Sequence, residues 1–211
     1  EGGDKLILVD TGMSWNEHAD KYHHGPSMQR PGVDDIESRL AQAGYKPEDV
    51  DIVLFTHLHW DHVFYLEKFV NARFIVNEVE WNYAHNPVSL HFKSYCRPII
   101  CKDGDVTYKD QFIAPYDIVD KEAGIDIPSR FETVKGEVEI VPGVTVFESF
   151  GHSPGSMTVM VETEKAPTSA WATLCSSWAT SMLPRTWWRS STTTSASRPL
   201  CGHGRRLAGH P

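Results

Sequence analysis

The chain has no acidic residue after Glu164, although it has 28 acidic residues in total. Residues 1–164 carry all 28 together with 14 basic residues, a net charge of 14 − 28 = −14, whereas residues 165–211 carry six basic residues. This last segment also has four of the seven tryptophans in a Ser/Thr-rich background: Trp171, Trp178, Trp187 and Trp188. Because an ordinary linker does not change composition in this way, we predict one domain over 1–164 and an anomalous, poorly ordered tail over 165–211.

Cysteine is scarce and long apolar runs are missing. The four cysteines (Cys96, Cys101, Cys175 and Cys201) do not form a disulfide framework, which favours a reducing compartment and predicts a cytoplasmic location. No membrane segment is present, so we expect no membrane partner. The acidic body disfavours nucleic acid as a substrate. The oligomeric state is not fixed by the sequence. The chain also starts at Glu1, close to its first strand and without Met, which we interpret as an N-terminal truncation.

Histidine is concentrated in the run FTHLHWDH, residues 55–62. His57, His59, Asp61 and His62 follow the apolar strand Asp51–Phe55, so their side chains can converge from one turn at a strand end. Neutral imidazole nitrogens and carboxylate oxygens are ligands that suit zinc. The pattern therefore predicts a metal site rather than a chance group of surface histidines.

A second histidine stands in a similar loop. His152 lies in FGHSPGS between two apolar runs that read as strands, and it can supply a third imidazole beside His57 and His59. Near the start, LILVDTG is an apolar strand that ends at Asp10 and a glycine turn.

These three motifs, in this order, resemble the metallo-β-lactamase superfamily over about residues 5–164. The stretch VNEVEWNYAHNP, together with residues 91–95, is similar to the N-acyl-homoserine lactonase branch. The resemblance implies an α/β (α+β) fold, the αββα sandwich, which is incomplete at both ends of this chain. It also implies a zinc-dependent hydrolase that opens a lactone or another ester with a metal-bound hydroxide.

The resemblance assigns roles to matching positions. His57, His59 and His152 would bind the first of two zinc ions, and Asp61 and His62 would contribute to the second. Asp61 would also move protons towards the leaving alcohol. Asp10 would order the ligand loop through hydrogen bonds without binding metal. The expected partner is a small-molecule lactone or ester.

Two further elements of the family are missing, a bridging Asp in a strand-Gly-Asp-Ala context and a final His. The bridging Asp is expected near Thr173, in SAWATLC. Three explanations of the tail compete: a basic interaction tail, a disordered low-complexity end, and translation in the wrong frame. The codons of Pro167 to Cys175 can also be read in the frame that starts at the third base of each codon. In that frame they permit the sequence Tyr-Val-Cys-Leu-Gly-Asp-Ala-Val, which contains the missing Gly-Asp-Ala. This result favours a single-base frameshift near Glu164 to Ala166. We therefore expect this chain to bind about one zinc.

Alternating patterns predict the elements of the body. A helix capped by Asp34 and Glu37 buries a stripe of Val33, Ile36, Leu40 and Ala43 and ends at Gly44. Further helices are predicted at Val63–Phe69 and Glu78–Ala84. Strands are predicted at Arg73–Val76, Phe131–Val134, Glu137–Ile140, Val144–Phe150 and Met157–Glu162, with a hairpin turn at Pro142-Gly143.

Other conspicuous residues favour simpler interpretations. His23 and His24 are predicted to lie in a surface loop, and Trp60 to be a packing residue. His85 and His91 could line a substrate channel or belong to an ordinary loop, and both alternatives stay open. His203 lies in the anomalous tail and is not expected to bind metal.

Two alternatives to the lactonase hypothesis remain. A glyoxalase II-like thioesterase is the second enzyme class, but that class follows the ligand motif with Gly-Gly, where this chain has Val63-Phe64. The third hypothesis is a catalytically impaired, non-enzymatic product of the altered frame.

Overall fold

A computed structural model of the chain describes residues 4–13, 35–96, 114–163 and 166–170. Predictions on His23, His24, Val33, Asp34, Thr173 and His203 lie outside these residues.

The described residues form ten strands and two α-helices. In chain order, the elements are β1 (Ile7–Val9), α1 (Ile36–Ala43), β2 (Ile52–Leu54), β3 (Arg73–Asn77), α2 (Glu78–His85), β4 (Val119–Asp120), β5 (Ile125–Asp126), β6 (Phe131–Val134), β7 (Val138–Val141), β8 (Val144–Glu148), β9 (Met157–Thr163) and β10 (Ala166–Ala170).

The strands form two four-stranded sheets and one small hairpin. In the first sheet all neighbouring strands are parallel, in the order β1-β2-β3-β6. The second sheet is antiparallel, in the order β10-β9-β8-β7, and its β7–β8 turn is the predicted Pro142-Gly143, with Gly143 at φ 80°. Among the described strands, β4 and β5 pair with each other alone.

The alternation of side chains along β2 defines the layers. Ile52 and Leu54 pack with Val146 and Val159 of the second sheet, so the two sheets lie face to face. Val53 on the opposite face packs with residues of α1 and α2. Burying a side chain of this size contributes about 1.5–3 kcal/mol, and all three β2 residues are buried. The described residues thus form helix, sheet and sheet layers of the predicted αββα sandwich.

Helix α1 begins one residue later than predicted. Asp35 is its N-cap, because its carboxylate accepts a hydrogen bond from the Ser38 backbone N–H at 2.8 Å. The predicted end at Gly44 is confirmed, since that residue adopts φ 88°. Leu40 is buried, but Ala43 is exposed, so the predicted stripe was wrong at its last position. Tyr45, beyond the cap, packs against the core instead.

The predicted helix Val63–Phe69 is also wrong. Only Leu66–Lys68 forms a single 3₁₀ turn, and Tyr65 before it has φ 67°, a left-handed conformation that ends any α-helix. Val63 instead forms a bridge with Gly12 beside β1. Helix α2 and the seven predicted strands (β1, β2, β3, β6, β7, β8 and β9) lie where predicted, to within a few residues at their ends. Strands β4, β5 and β10 were not predicted, and β10 lies in the segment that was expected to be poorly ordered.

No helix in the described part of the chain is both long and apolar enough to cross a membrane.

Candidate metal centre

The first of two histidine loops, residues 55–62, leaves the carboxyl end of β2, directly beside the end of β1. The backbone N–H of Asp10 donates to the carbonyl of Leu54 at 2.9 Å, and that of Thr11 donates to the carbonyl of His62 at 2.9 Å. The second sheet meets the same loop, because the Met157 N–H donates to the Thr56 carbonyl at 2.8 Å. Three separate segments of chain are therefore tied together at this point.

Asp10 organises the loop as predicted. Its Oδ1 accepts from the Thr56 N–H and its Oδ2 from the Thr56 hydroxyl, both at 2.8 Å. The hydroxyl proton is used in that bond, so the Thr56 oxygen, 3.0 Å from His57 Nδ1, accepts the Nδ1 proton. The imidazole of His57 is consequently held in the tautomer whose Nε2 carries a lone pair.

The second histidine loop, residues 149–156, connects β8 to β9. The Ser149 N–H donates to the Ser156 carbonyl at 2.8 Å, which closes the base of the loop and ends β8 at Glu148, before the predicted Phe150. Phe150 is exposed. The loop carries His152 towards the first loop, where its Nε2 lies 3.1 Å from His59 Nδ1.

The structure brings together all five residues that the sequence predicted as ligands. The His57 ring lies with its centroid 4.0 Å from that of His62, 4.5 Å from that of His59 and 4.7 Å from that of His152. Two sets of ligand atoms, each within 4.8 Å of one another, could hold a metal ion: His57, His59 and His152, and His57, Asp61 and His62.

The electrostatics of the cluster favour uncharged imidazoles at three positions. Burial, and then the neighbouring His62, hold the pKa of His57 well below its ordinary value. Burial and His152 lower the pKa of His59 to about 3, and burial also lowers the pKa of His152. Neutral rings have the free lone pairs that bind a metal ion.

His62 differs from these three. Burial disfavours its charged form, but Asp10 Oδ2, 2.7 Å from His62 Nδ1, outweighs burial, and the pKa of His62 is raised. This carboxylate–histidine contact also fixes the ring, with Nε2 3.7 Å from Asp61 Oδ2.

One buried atom tests whether the cluster suits a metal. His57 is fully buried, and among the described residues its Nε2 has no hydrogen-bond partner. A buried polar atom without a partner costs roughly 1–3 kcal/mol, so its persistence calls for an explanation. An imidazole lone pair that faces other neutral imidazoles suits a divalent cation such as zinc.

Sequence reasoning missed Glu80, on the first turn of α2. This side chain is fully buried and contacts both loops. A weak signal was available, because Glu80 lies four residues before the buried Ala84, on the face of α2 that a helical pattern assigns to the core. Tyr95 was missed as well. It is buried with its ring 4.7 Å from that of His59, and burial, with Glu80 beside it, raises the pKa of its hydroxyl.

The other singled-out residues have ordinary contacts. Trp60 is buried in the core, as predicted. His85 contacts the Trp81 carbonyl and Asp117, and His91 Nδ1 lies 2.7 Å from the Tyr83 hydroxyl. Neither belongs to the sets that could hold a metal.

Gly155 provides a test of the packing between the second loop and α2. A Cβ atom there would lie 2.2 Å from the backbone N of Glu80, and backbone cannot move aside as a flexible side chain can. We expect Gly155→Ala to lower the free energy of unfolding by about 3 kcal/mol or slightly less. Pro154→Ala, at the exposed neighbouring position, is the control and should cost less than about 1 kcal/mol. Urea unfolding of both variants measures the difference, and equal losses would contradict the close approach.

Comparison with known proteins places these observations in a family. A family model described as the metallo-beta-lactamase superfamily matches residues 1–167. An N-acyl homoserine lactonase from Bacillus cereus is 29% identical over 168 residues, which cover 76% of this chain and 55% of the relative. The chain thus spans about half the length of the curated relatives that it matches.

Solved structures agree with this result. A mutant of AiiA from B. thuringiensis, with N-decanoyl-L-homoserine bound at the active site, is 25% identical and has a TM-score of 0.53, over 78% of this chain and 57% of that one. A probable metal-dependent hydrolase from Staphylococcus aureus shares the fold, with 20% identity and a TM-score of 0.55, over 80% and 54% of the two chains. The match over residues 1–167 shows that this chain belongs to the metallo-beta-lactamase superfamily.

Proposed function

We propose that this chain carries the ligand loops of a zinc-dependent hydrolase that opens the ring of a lactone. The proposed substrate class is the N-acyl homoserine lactones. The observation that carries the proposal is the buried Nε2 of His57, which lies among neutral imidazoles and has no hydrogen-bond partner in the described part of the chain. Relatives named as N-acyl homoserine lactonases, and the N-decanoyl-L-homoserine bound at the active site of a related structure, support the substrate class.

In this proposal His57, His59 and His152 hold the first zinc ion, and Asp61 and His62 contribute to a second position. When bound, zinc supplies Lewis-acid chemistry, polarising an ester carbonyl and lowering the pKa of water to about 7. Asp10 keeps the His57 and His62 rings oriented, through Thr56 and directly. Asp61 is exposed, so its carboxylate can take up a proton and pass it to the leaving alcohol oxygen.

The direct test of the substrate class is ring opening of an N-acyl homoserine lactone, followed as release of acid, beside hydrolysis of a thioester with the same acyl group. Opening of the lactone supports the proposal. Hydrolysis of the thioester alone would replace it with the thioesterase hypothesis.

Metal content tests the cofactor. Because His57 Nδ1 is engaged by Thr56, this ring offers one nitrogen and can serve one metal position. The second position then keeps only Asp61 and His62, and two protein ligands rarely hold zinc against water. We expect about one zinc per chain after dialysis, measured by elemental analysis. His85→Ala should leave this value unchanged, and two zinc ions per chain would contradict the prediction.

A further inference from the structure

Glu80 receives four hydrogen bonds although its side chain is fully buried. Its Oε1 accepts from the Leu58 N–H and from the Tyr95 hydroxyl, both at 2.9 Å. Its Oε2 accepts from the Ser153 hydroxyl at 2.7 Å and from the Gly155 N–H at 3.1 Å. Every one of these partners is a donor, so both oxygens of the carboxylate act as acceptors.

The two oxygens serve different loops. Leu58 lies between His57 and His59, so Oε1 holds the backbone of the first loop between two of its candidate ligands. Ser153 directly follows His152, so Oε2 holds the second loop beside its only candidate ligand. One carboxylate on α2 therefore joins the two loops, which are otherwise far apart in sequence.

The surroundings of Glu80 fix its position. Tyr95, which donates to Oε1, also packs its ring against His59. Behind the second loop, Gly155 lies against the Glu80 backbone so closely that no side chain fits. Residues that hold metal ligands in place through hydrogen bonds typically change metal affinity by about 10- to 100-fold when they are altered.

We propose that Glu80 is the positioning residue that sets the separation of the two histidine loops, and thereby the affinity of this site for a divalent metal ion. It does not contact the reacting atoms, because it is inaccessible and both of its oxygens are occupied by the loops. The inference rests on the proposed function only in taking His57, His59 and His152 as metal ligands.

Glu80→Gln tests the proposal with little change in volume. A Gln amide has one acceptor oxygen, and its NH₂ group would face the backbone N–H of Leu58 or of Gly155, depending on its orientation, so one loop loses its anchor. In the metal-free 211-residue chain, we expect amide hydrogen exchange to become at least about tenfold faster in one or both of the segments 56–59 and 151–157. Zinc affinity, measured by competition with a chelator, should fall by about 10- to 100-fold. The visible spectrum of the cobalt(II)-loaded chain should shift, since it reports ligand geometry.

Val50→Ala is the control for a merely structural effect. Val50 is fully buried but precedes β2, at the end opposite to His57. In the Val50→Ala variant, amide hydrogen exchange should become faster across the core without selectivity for the two loops. The visible spectrum of the cobalt(II)-loaded variant should remain unchanged. Unaltered loop exchange and metal affinity in Glu80→Gln would overturn the proposal, as would equal effects in Val50→Ala.

Ser153→Ala covers the case in which Glu80→Gln does not fold. It removes one donor to Oε2 and should accelerate exchange in 151–157 while leaving 56–59 unchanged. Acceleration in neither segment would also overturn the proposal. If the unaltered chain binds no metal, the proposed function fails, while exchange in the metal-free chain still decides the role of Glu80.

Discussion

Changing His57 to Ala is expected to abolish metal retention by the chain. His57 belongs to both sets of residues that could hold a metal, and its Nε2 is the buried lone pair that has no other partner among the described residues. Loss of this direct ligand should lower metal affinity by more than the roughly 10- to 100-fold that follows loss of an outer hydrogen-bond partner. Elemental analysis after dialysis, and chelator competition for the affinity, provide the measurement.

His85→Ala is the matched control for this experiment. It removes an imidazole whose contacts are the Trp81 carbonyl and Asp117, outside both candidate sets. Its metal content should equal that of the unaltered chain. Retention of metal by His57→Ala would show that the ion binds elsewhere, and the ligand assignment would be withdrawn.

Restoring the reading frame near Glu164 should raise lactone turnover by about a hundredfold or more. We propose the frameshift because the alternative frame permits Leu-Gly-Asp-Ala-Val near Thr173, where the family resemblance places the bridging Asp. A carboxylate shared by two metal positions would help to hold both in place, and misplacement of a reacting group by about 1 Å can cost roughly a hundredfold in rate. The two versions are compared on one N-acyl homoserine lactone at equal folded concentration, with zinc supplied.

Two results would count against this account. Equal rates for the two versions would show that the missing ligands are not needed, and the dinuclear chemistry would be abandoned. The nucleotide sequence around codons 160 to 180 is an independent check, since stop codons throughout the alternative frame would exclude the frameshift.

The convergence of the two histidine loops could be predicted because their signals are local. His57, His59, Asp61 and His62 lie within six residues, after an apolar strand, and geometry at a strand end brings such neighbours together without knowledge of the whole fold. The same holds for Gly44 and for Pro142-Gly143, where a single residue type determines the backbone conformation.

The failures concern residues whose roles depend on distant contacts. Glu80 has only a weak signal in sequence, its position on the same helical face as Ala84, and its role as a buried acceptor depends on contacts with the distant Leu58 and Gly155. The apolar residues of Val63–Phe69 suggested a helix, yet the bridge between Val63 and Gly12 competes for the same backbone. Tertiary contacts thus override local preference at these positions.

The placement of the candidate site at the junction of the two sheets has a thermodynamic consequence. His57 follows a strand of one sheet and His152 precedes a strand of the other, so an ion held by both would exist only where the sheets have docked. Binding and docking would then be linked equilibria, and a ligand present at 1,000 times its Kd stabilises the native state by about 4 kcal/mol. For a small domain this is a large fraction of the total stability, and zinc supply would govern how much of the chain survives as folded protein.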